Sequence, residues 1–87
     1  MEKLNREQRN RLVEVVKENL EDSTVRELAD QLGCSFGYIS DLVNWNIKVP
    51  KSQALLICEG LRVHPYYVLN GRRPKYKDWR EAFNGKY

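Results

Sequence analysis

The stretch Thr24–Val43, TVRELADQLGCSFGYISDLV, decides the fold of this 87-residue chain. Its pattern predicts two short helices separated by a turn at Gly33, because glycine readily adopts the left-handed backbone that ends a helix. Thr24 and Glu27 have the spacing of a capping box, which begins the first of the two helices. The second is predicted to run from Phe36 to about residue 44 or 45.

The inward side of this segment is small and apolar. Ala29 is expected where the two helices touch, and Ser35 can cap the second helix. The other residues expected to face inward are Leu28, Leu32, Cys34, Ile39 and Leu42. This spacing predicts a helix-turn-helix, the motif whose second helix lies in the major groove of DNA.

Helical periodicity continues on both sides of this segment. A first helix is predicted from Arg6 to about Glu21, with Asn5 as its cap. A fourth helix should run from residue 51 or 52 to about Gly60, and a fifth from His64 to residue 70. The apolar residues assigned to the inward side of the fourth helix are Ala54, Leu55, Ile57, Cys58 and Leu61. The chain is therefore predicted to be all-α.

The chain divides by composition into a five-helix domain, residues 1–71, and a short extension, residues 72–87. The net charge is +3, and positive charge is concentrated in residues 71–87, which hold six basic and two acidic side chains. A mildly basic protein permits a nucleic-acid partner without requiring one. Helical spacing of three aromatic residues makes a short sixth helix possible in the extension: Tyr76, Trp79 and Phe83.

Several classes of function lack the residues they need. One histidine, two cysteines, no Gly-rich phosphate loop and no paired carboxylates in a cleft leave no catalytic constellation. We therefore expect no enzyme, no metal, no cofactor and two buried free thiols, Cys34 and Cys58. No apolar run reaches the roughly 20 residues of a membrane helix, and the N-terminus lacks a signal peptide, so a cytoplasmic protein is expected.

Between about residues 12 and 71 the chain resembles the lambda-repressor-like family, also called the Cro/repressor-type or XRE family. The residues that carry the resemblance are Leu28-Ala29, Leu32-Gly33-Cys34-Ser35, Ile39-Ser40, Leu42, Pro50, Ile57-Cys58, Leu61, Val63 and Leu69-Asn70-Gly71. The resemblance implies a five-helix fold and a phage or bacterial repressor that binds an inverted-repeat operator as a dimer. Val25 and Phe36 depart from it, since many members carry Gln there, and Trp45 replaces a common Gly.

Candidate DNA contacts follow from this placement. The outward residues of the second helix of the motif are Phe36, Gly37, Tyr38, Ser40, Asp41 and Asn44. Candidate phosphate contacts are Thr24, Arg26, Ser35, Asn46, Lys48, Lys51 and Gln53. Four basic residues of the extension could attract DNA electrostatically, by flanking the duplex or entering a minor groove: Arg72, Arg73, Lys75 and Lys77. Candidate interface residues are Trp45, Tyr76, Trp79 and Phe83. The expected partners are double-stranded DNA and a second copy of the chain, with no small-molecule effector and no membrane.

Alternatives stay open for several of these residues. The second helix of the motif has no Lys or Arg, and Asp41 would face phosphates unfavourably unless it pairs with a base or a cation. Phe36 could pack on the first helix or serve an interface, Tyr38 could be an ordinary surface residue, and Asn44 could cap the C-terminus of its helix. The basic extension could simply be solvated. The aromatic residues of the extension could dock on a partner or cover the protomer's own core. The alternative function is a protein-interaction module or antitoxin-like partner on the same fold, with weak or no specific DNA binding.

Overall fold

The computed structural model describes residues 2–44 and 47–77 of the chain, which form an all-α fold. Its helices are α1 (Arg6–Asn19), α2 (Val25–Leu32), α3 (Phe36–Asn44), α4 (Lys51–Leu61) and α5 (Pro65–Asn70). In this part of the chain, bridges outside the helices are two isolated antiparallel pairs, Lys3 with Pro50 and Val63 with Tyr76. The five predicted helices are therefore confirmed.

The helix ends lie where the capping residues predicted them. Asn5 and Gln8 form a reciprocal capping box at α1, and Thr24 and Glu27 form a second one at α2. The two bonds of the α2 box measure 2.9 and 3.1 Å. Gly33 ends α2 with a φ of 69°, in the left-handed region that glycine adopts at little steric cost.

The core is formed by one side of every helix. α2 and α3 pack against each other, and α1 contacts α3, α4 and α5. Residues with no more than 1% exposure include Leu12, Val15, Val16, Leu28, Ile39, Leu42, Ala54, Ile57, Cys58 and Val68. The assignment of Leu55 to this core was wrong, since 43% of it is exposed. The inward residues of α4 recur at the three- and four-residue spacing of one helix face, and Leu55 lies outside that face.

The chain after α5 returns along α1. The Lys75 carbonyl accepts a hydrogen bond from the His64 N–H at 2.9 Å, and the Lys77 N–H donates to the Arg62 carbonyl at 2.6 Å. The Lys75 Nζ lies 2.7 Å from carboxylate oxygens of both Glu14 and Glu18. Residues 75–77 are thus attached to the helical body by backbone bonds and by ion pairs.

The predicted sixth helix falls largely outside the described residues, which exclude Trp79 and Phe83. Tyr76, its first aromatic residue, lies in a backbone bridge with Val63 rather than in a helix. Its hydroxyl donates to Glu18 at 2.7 Å and accepts from the Asn19 amide at 3.2 Å. Tyr76 therefore covers the protomer's own α1, which corrects its assignment as an interface residue.

Lys75→Met should make the protein less stable at neutral pH and less sensitive to acid. Hydrogen bonds from Lys75 and then from Tyr67 lower the pKa of Glu14, and those from Lys75 and Tyr76 lower the pKa of Glu18. A carboxyl with a lowered folded pKa stabilises the fold above its unfolded pKa, and that stability is lost as pH falls through the folded value. Both carboxylates keep solvent contact, so we expect a loss of about 1 kcal/mol at neutral pH.

Thermal melts between neutral pH and about pH 3 test this expectation, since the glutamates titrate in that range. The melting temperature of the wild type should fall more steeply with acid than that of the variant. Lys17→Met on the exposed side of α1 is the matched control and should keep the wild-type acid dependence. Parallel acid profiles for wild type and Lys75→Met would contradict the assigned role of this ion pair.

Candidate nucleic-acid interface

One face of α3 is exposed while the other is fixed in the core. Phe36 is 51% exposed, and Gly37, Asp41 and Asn44 are also exposed. A side chain built at Gly37 would meet no atom within 4 Å. The Asn44 amide donates to the hydroxyl of the half-buried Ser40 at 3.3 Å. These residues occupy the outward positions that the sequence predicted.

Tyr38 does not share that exposure, which corrects the outward position predicted for it. It is half-buried and packs against the core, and its hydroxyl has no solvent contact and no hydrogen-bond partner among the described residues. Burial raises the pKa of Tyr38. Tyr38 precedes the fully buried Leu42 by one helical turn, so it lies at the edge of the inward face.

Tyr38→Phe should stabilise the protein. A buried hydroxyl without a partner loses its hydration and gains nothing in return, so its removal should raise the free energy of unfolding by about 1 kcal/mol. Chemical denaturation measures this change, with Tyr66→Phe as the control because Tyr66 is 61% exposed. A less stable Tyr38→Phe protein would show that the hydroxyl has a hydrogen-bond partner.

Two hydroxyls predicted to contact phosphates are occupied as helix caps. Thr24 Oγ1 accepts from the Glu27 N–H, and Ser35 Oγ accepts from the Tyr38 N–H at 3.1 Å. Each hydroxyl can still donate its own proton to an anion. Both lie at helix N-termini, where the backbone N–H groups favour negative charge.

Arg26 connects α2 to the exposed face of α3. Its guanidinium carbon lies 5.6 Å from the centre of the Phe36 ring, within the range of a cation–π contact. The pair places a positive charge beside the exposed aromatic ring at the start of α3. Sequence reasoning named both residues as contacts without predicting that they touch, since they lie on different helices.

The remaining candidates for DNA contact differ in whether another residue of the protein already binds their polar groups. Lys48 is exposed, whereas Lys51 pairs with Glu2 at 3.1 Å and the Gln53 amide donates to the Cys34 sulfur at 3.4 Å. Lys75 is neutralised by two glutamates and is 17% exposed, so its predicted contribution to a DNA-attracting field was wrong. Arg72 and Arg73 are exposed beside Tyr66 in a cleft of about 350 Å³. The candidates Trp45, Asn46, Trp79 and Phe83 lie outside the described residues.

A basic cleft at the start of α1 was not predicted. It has a volume of about 620 Å³, and its lining includes Arg6, Arg9, Asn10 and Lys48. Arg6 and Arg9 lie on α1, and their distance along the chain from Lys48 hid the cluster. The available signal was the position of Arg6 as the first residue of a helix, where cations are disfavoured.

The described residues give little support for a metal site or a membrane-spanning helix. Within 2–44 and 47–77, no group of three or more His, Cys, Asp or Glu side chains could hold a metal ion. The same ranges contain no helix with the length and apolar character needed to cross a membrane. Cys58 is a buried free thiol with its pKa raised to about 11 by burial, as predicted, whereas Cys34 is only half-buried.

Comparison of the chain with protein-family models, curated proteins and solved structures found no significant match.

Proposed function

We propose that this protein is a sequence-specific regulator that binds double-stranded DNA through α3. The observation that supports this proposal is the division of α3 into two faces. Ile39 and Leu42 are completely buried, while Phe36, Gly37 and Asn44 are exposed. A short helix held rigidly by one face and free on the other suits insertion into the major groove, which admits an α-helix.

In this proposal α2 and α3 act as the helix-turn-helix of a lambda-repressor-like domain. The N-terminal residues of α3 would reach base edges, with Phe36 against a thymine methyl group and Gly37 permitting close approach. Asn44 can donate to or accept from a base or a phosphate, and Asp41 can accept from the cytosine amino group. Arg26 and Lys48 lie before and after α3 in sequence and would contact the phosphates that fix its position.

We further propose that two copies bind an inverted repeat and repress a promoter of phage or bacterial type. A two-fold dimer places its half-sites about 34 Å apart, one turn of the duplex. Sedimentation equilibrium over a range of protein concentrations, with and without a selected duplex, tests this arrangement. A complex holding a single copy on every selected site would contradict it. The proposal assigns the protein no catalysis and no small-molecule effector.

Selection from a random duplex library, followed by footprinting, tests the DNA-binding function. The selected sequences should share one motif, and protection of that motif should weaken steeply with salt because phosphate contacts release counterions. Random-sequence duplex of the same length is the matched control and should bind more weakly at every salt concentration. Failure to recover a shared motif, together with no protected site at low salt, would refute the proposal.

The second candidate is a protein-interaction module or antitoxin-like partner on the same fold. Two observations favour it: α3 carries Asp41 and no Lys or Arg, and α4 exposes Leu55 and Leu56. Contiguous exposed apolar surface is typical of sites that contact other proteins. The absence of a protected DNA site at any salt concentration would favour this candidate over the regulator.

A further inference from the structure

We propose that the cleft between the start of α1 and residues 47–48 binds the phosphate backbone of DNA beside the groove entered by α3. This basic cleft includes Arg6, Arg9, Asn10 and Lys48 in its lining. The inference rests on the proposed DNA-binding function and deepens it, because it assigns phosphate contacts to α1, a helix outside the α2–α3 motif.

The charges that line the cleft within residues 2–44 and 47–77 all have the same sign. Its volume is about 620 Å³, and the described residues that line it include three cations and no carboxylate. Glu7, the acidic residue of the first turn of α1, is not among them. Two asparagines, Asn5 and Asn10, also line the cleft and add polar groups. The cleft is therefore suited to an anion.

The helix to which these residues belong strengthens the attraction. The N-terminus of an α-helix carries a partial positive charge, so Arg6, the first residue of α1, is placed against the helix dipole. A bound phosphate would relieve that unfavourable interaction and also attract Lys48 across the cleft. The guanidinium fork can hold two phosphate oxygens at once, a geometry that an ammonium group cannot match.

The cleft is joined by backbone hydrogen bonds to residues that follow α3 in sequence. The Leu4 N–H donates to the Val49 carbonyl at 2.8 Å, and the Lys51 N–H donates to the Glu2 carbonyl at 2.9 Å. These bonds attach the residues before α1 to the segment that follows α3. Lys48 is only four residues beyond Asn44, the last residue of α3. A duplex contacting α3 would therefore have its backbone close to this cleft.

The cleft also supplies charge that α3 lacks. α3 contains no Lys or Arg, so an anionic duplex must be attracted from neighbouring elements. Arg26 provides one cation at the start of α3, and Arg6 and Lys48 provide others in the basic cleft.

Substitutions of exposed cations test the assignment. We would compare the wild type with Arg6→Gln, Lys48→Gln and the double variant, since glutamine keeps the helix propensity of arginine. Lys17→Gln is the matched control, because Lys17 is exposed on α1 three turns beyond Arg6. Thermal melts verify folding. If Arg6→Gln proves unstable, Lys48→Gln still tests the cleft, because Lys48 lies outside the helices.

The probe is a fluorescein-labelled random-sequence duplex, and its anisotropy is followed from low to high NaCl. The slope of log affinity against log salt should decrease in magnitude by about 0.9 for each phosphate contact removed. The double variant should bind roughly tenfold more weakly at low salt, whereas Lys17→Gln should match the wild type.

The outcomes separate this inference from the proposed function. Wild-type binding with an unchanged slope and affinity in the double variant would overturn the cleft assignment and leave the function standing. A wild type that binds no duplex at low salt would refute the function and this inference with it. An NMR titration with inorganic phosphate adds one arm: saturable shifts at Arg6 and Lys48 at low millimolar phosphate would identify a small-anion site and overturn the backbone assignment.

Discussion

Gly37→Glu is expected to abolish DNA binding in a protein that remains folded. A side chain at this position meets no atom within 4 Å, so glutamate fits without disturbing α3. Glutamate is also a better helix former than glycine, and the free energy of unfolding should rise by roughly 0.5 kcal/mol. On the proposed contact face, however, a carboxylate would lie against the phosphates and base edges of the duplex. Such like-charge contacts cost several kcal/mol, so affinity should fall by at least about 100-fold.

Two further variants test whether the added carboxylate causes the loss of DNA binding in Gly37→Glu. Gly37→Ala adds only a methyl group and should retain much of the affinity, which separates the charge of glutamate from the loss of glycine. Asn70→Glu adds the same charge at an exposed position of α5 and should bind DNA nearly as the wild type does. Fluorescence anisotropy with a selected duplex measures affinity, and circular dichroism measures folding. Wild-type affinity in Gly37→Glu would show that α3 does not face DNA.

Leu42→Ala is expected to destabilise the protein by about 2–5 kcal/mol, because it leaves a cavity in the core. Leu42 is fully buried on the inward face of α3. Small domains are stable by only about 5–15 kcal/mol, so a large share of the total would be lost. For a domain of this size each kcal/mol lowers the melting temperature by roughly 4–8 °C. DNA affinity measured well below the melting temperature should change little, since the outward residues of α3 are intact.

Leu56→Ala is the matched control for this cavity. It removes the same atoms from α4, where Leu56 is 59% exposed, and should cost less than about 1 kcal/mol. Denaturant titrations of both variants give the two values directly. Equal losses of stability would mean that α3 is not anchored as described. Together with Gly37→Glu, this pair separates the structural face of α3 from its binding face.

Local features of the sequence determined the helices. The Thr24–Glu27 capping box, the left-handed Gly33 and Pro65 each act on backbone within a few residues, so their effect can be predicted without knowing the fold. The exposed positions of Gly37 and Asn44 on α3 also follow from helical spacing. For these reasons the all-α class, the helix ends and most of the outward face of α3 were predictable.

Only the tertiary structure decided which side chains of one element contact another element. Lys75 was expected to attract DNA, but α1 brings Glu14 and Glu18 within 2.7 Å of it and cancels its charge. Tyr38 was expected on the surface, but its hydroxyl is enclosed at the edge of the core. Helical spacing places Tyr38 one turn before Leu42, at the edge of the inward face, but the enclosure of its hydroxyl depends on the elements packed there. The pairing of Lys75 likewise depends on the position of α1.

The basic cleft also forms through the packing of elements that are distant in sequence. Arg6 and Lys48 are about forty residues apart in sequence and meet because backbone hydrogen bonds join residues 2–4 to residues 49–51. Helical periodicity places a residue on a side of its own helix and carries no information about the neighbour that this side will face. The sequence by itself therefore determined the elements and the exposed face of α3. Only the packing of those elements decided which charges are neutralised and which gather in one cleft.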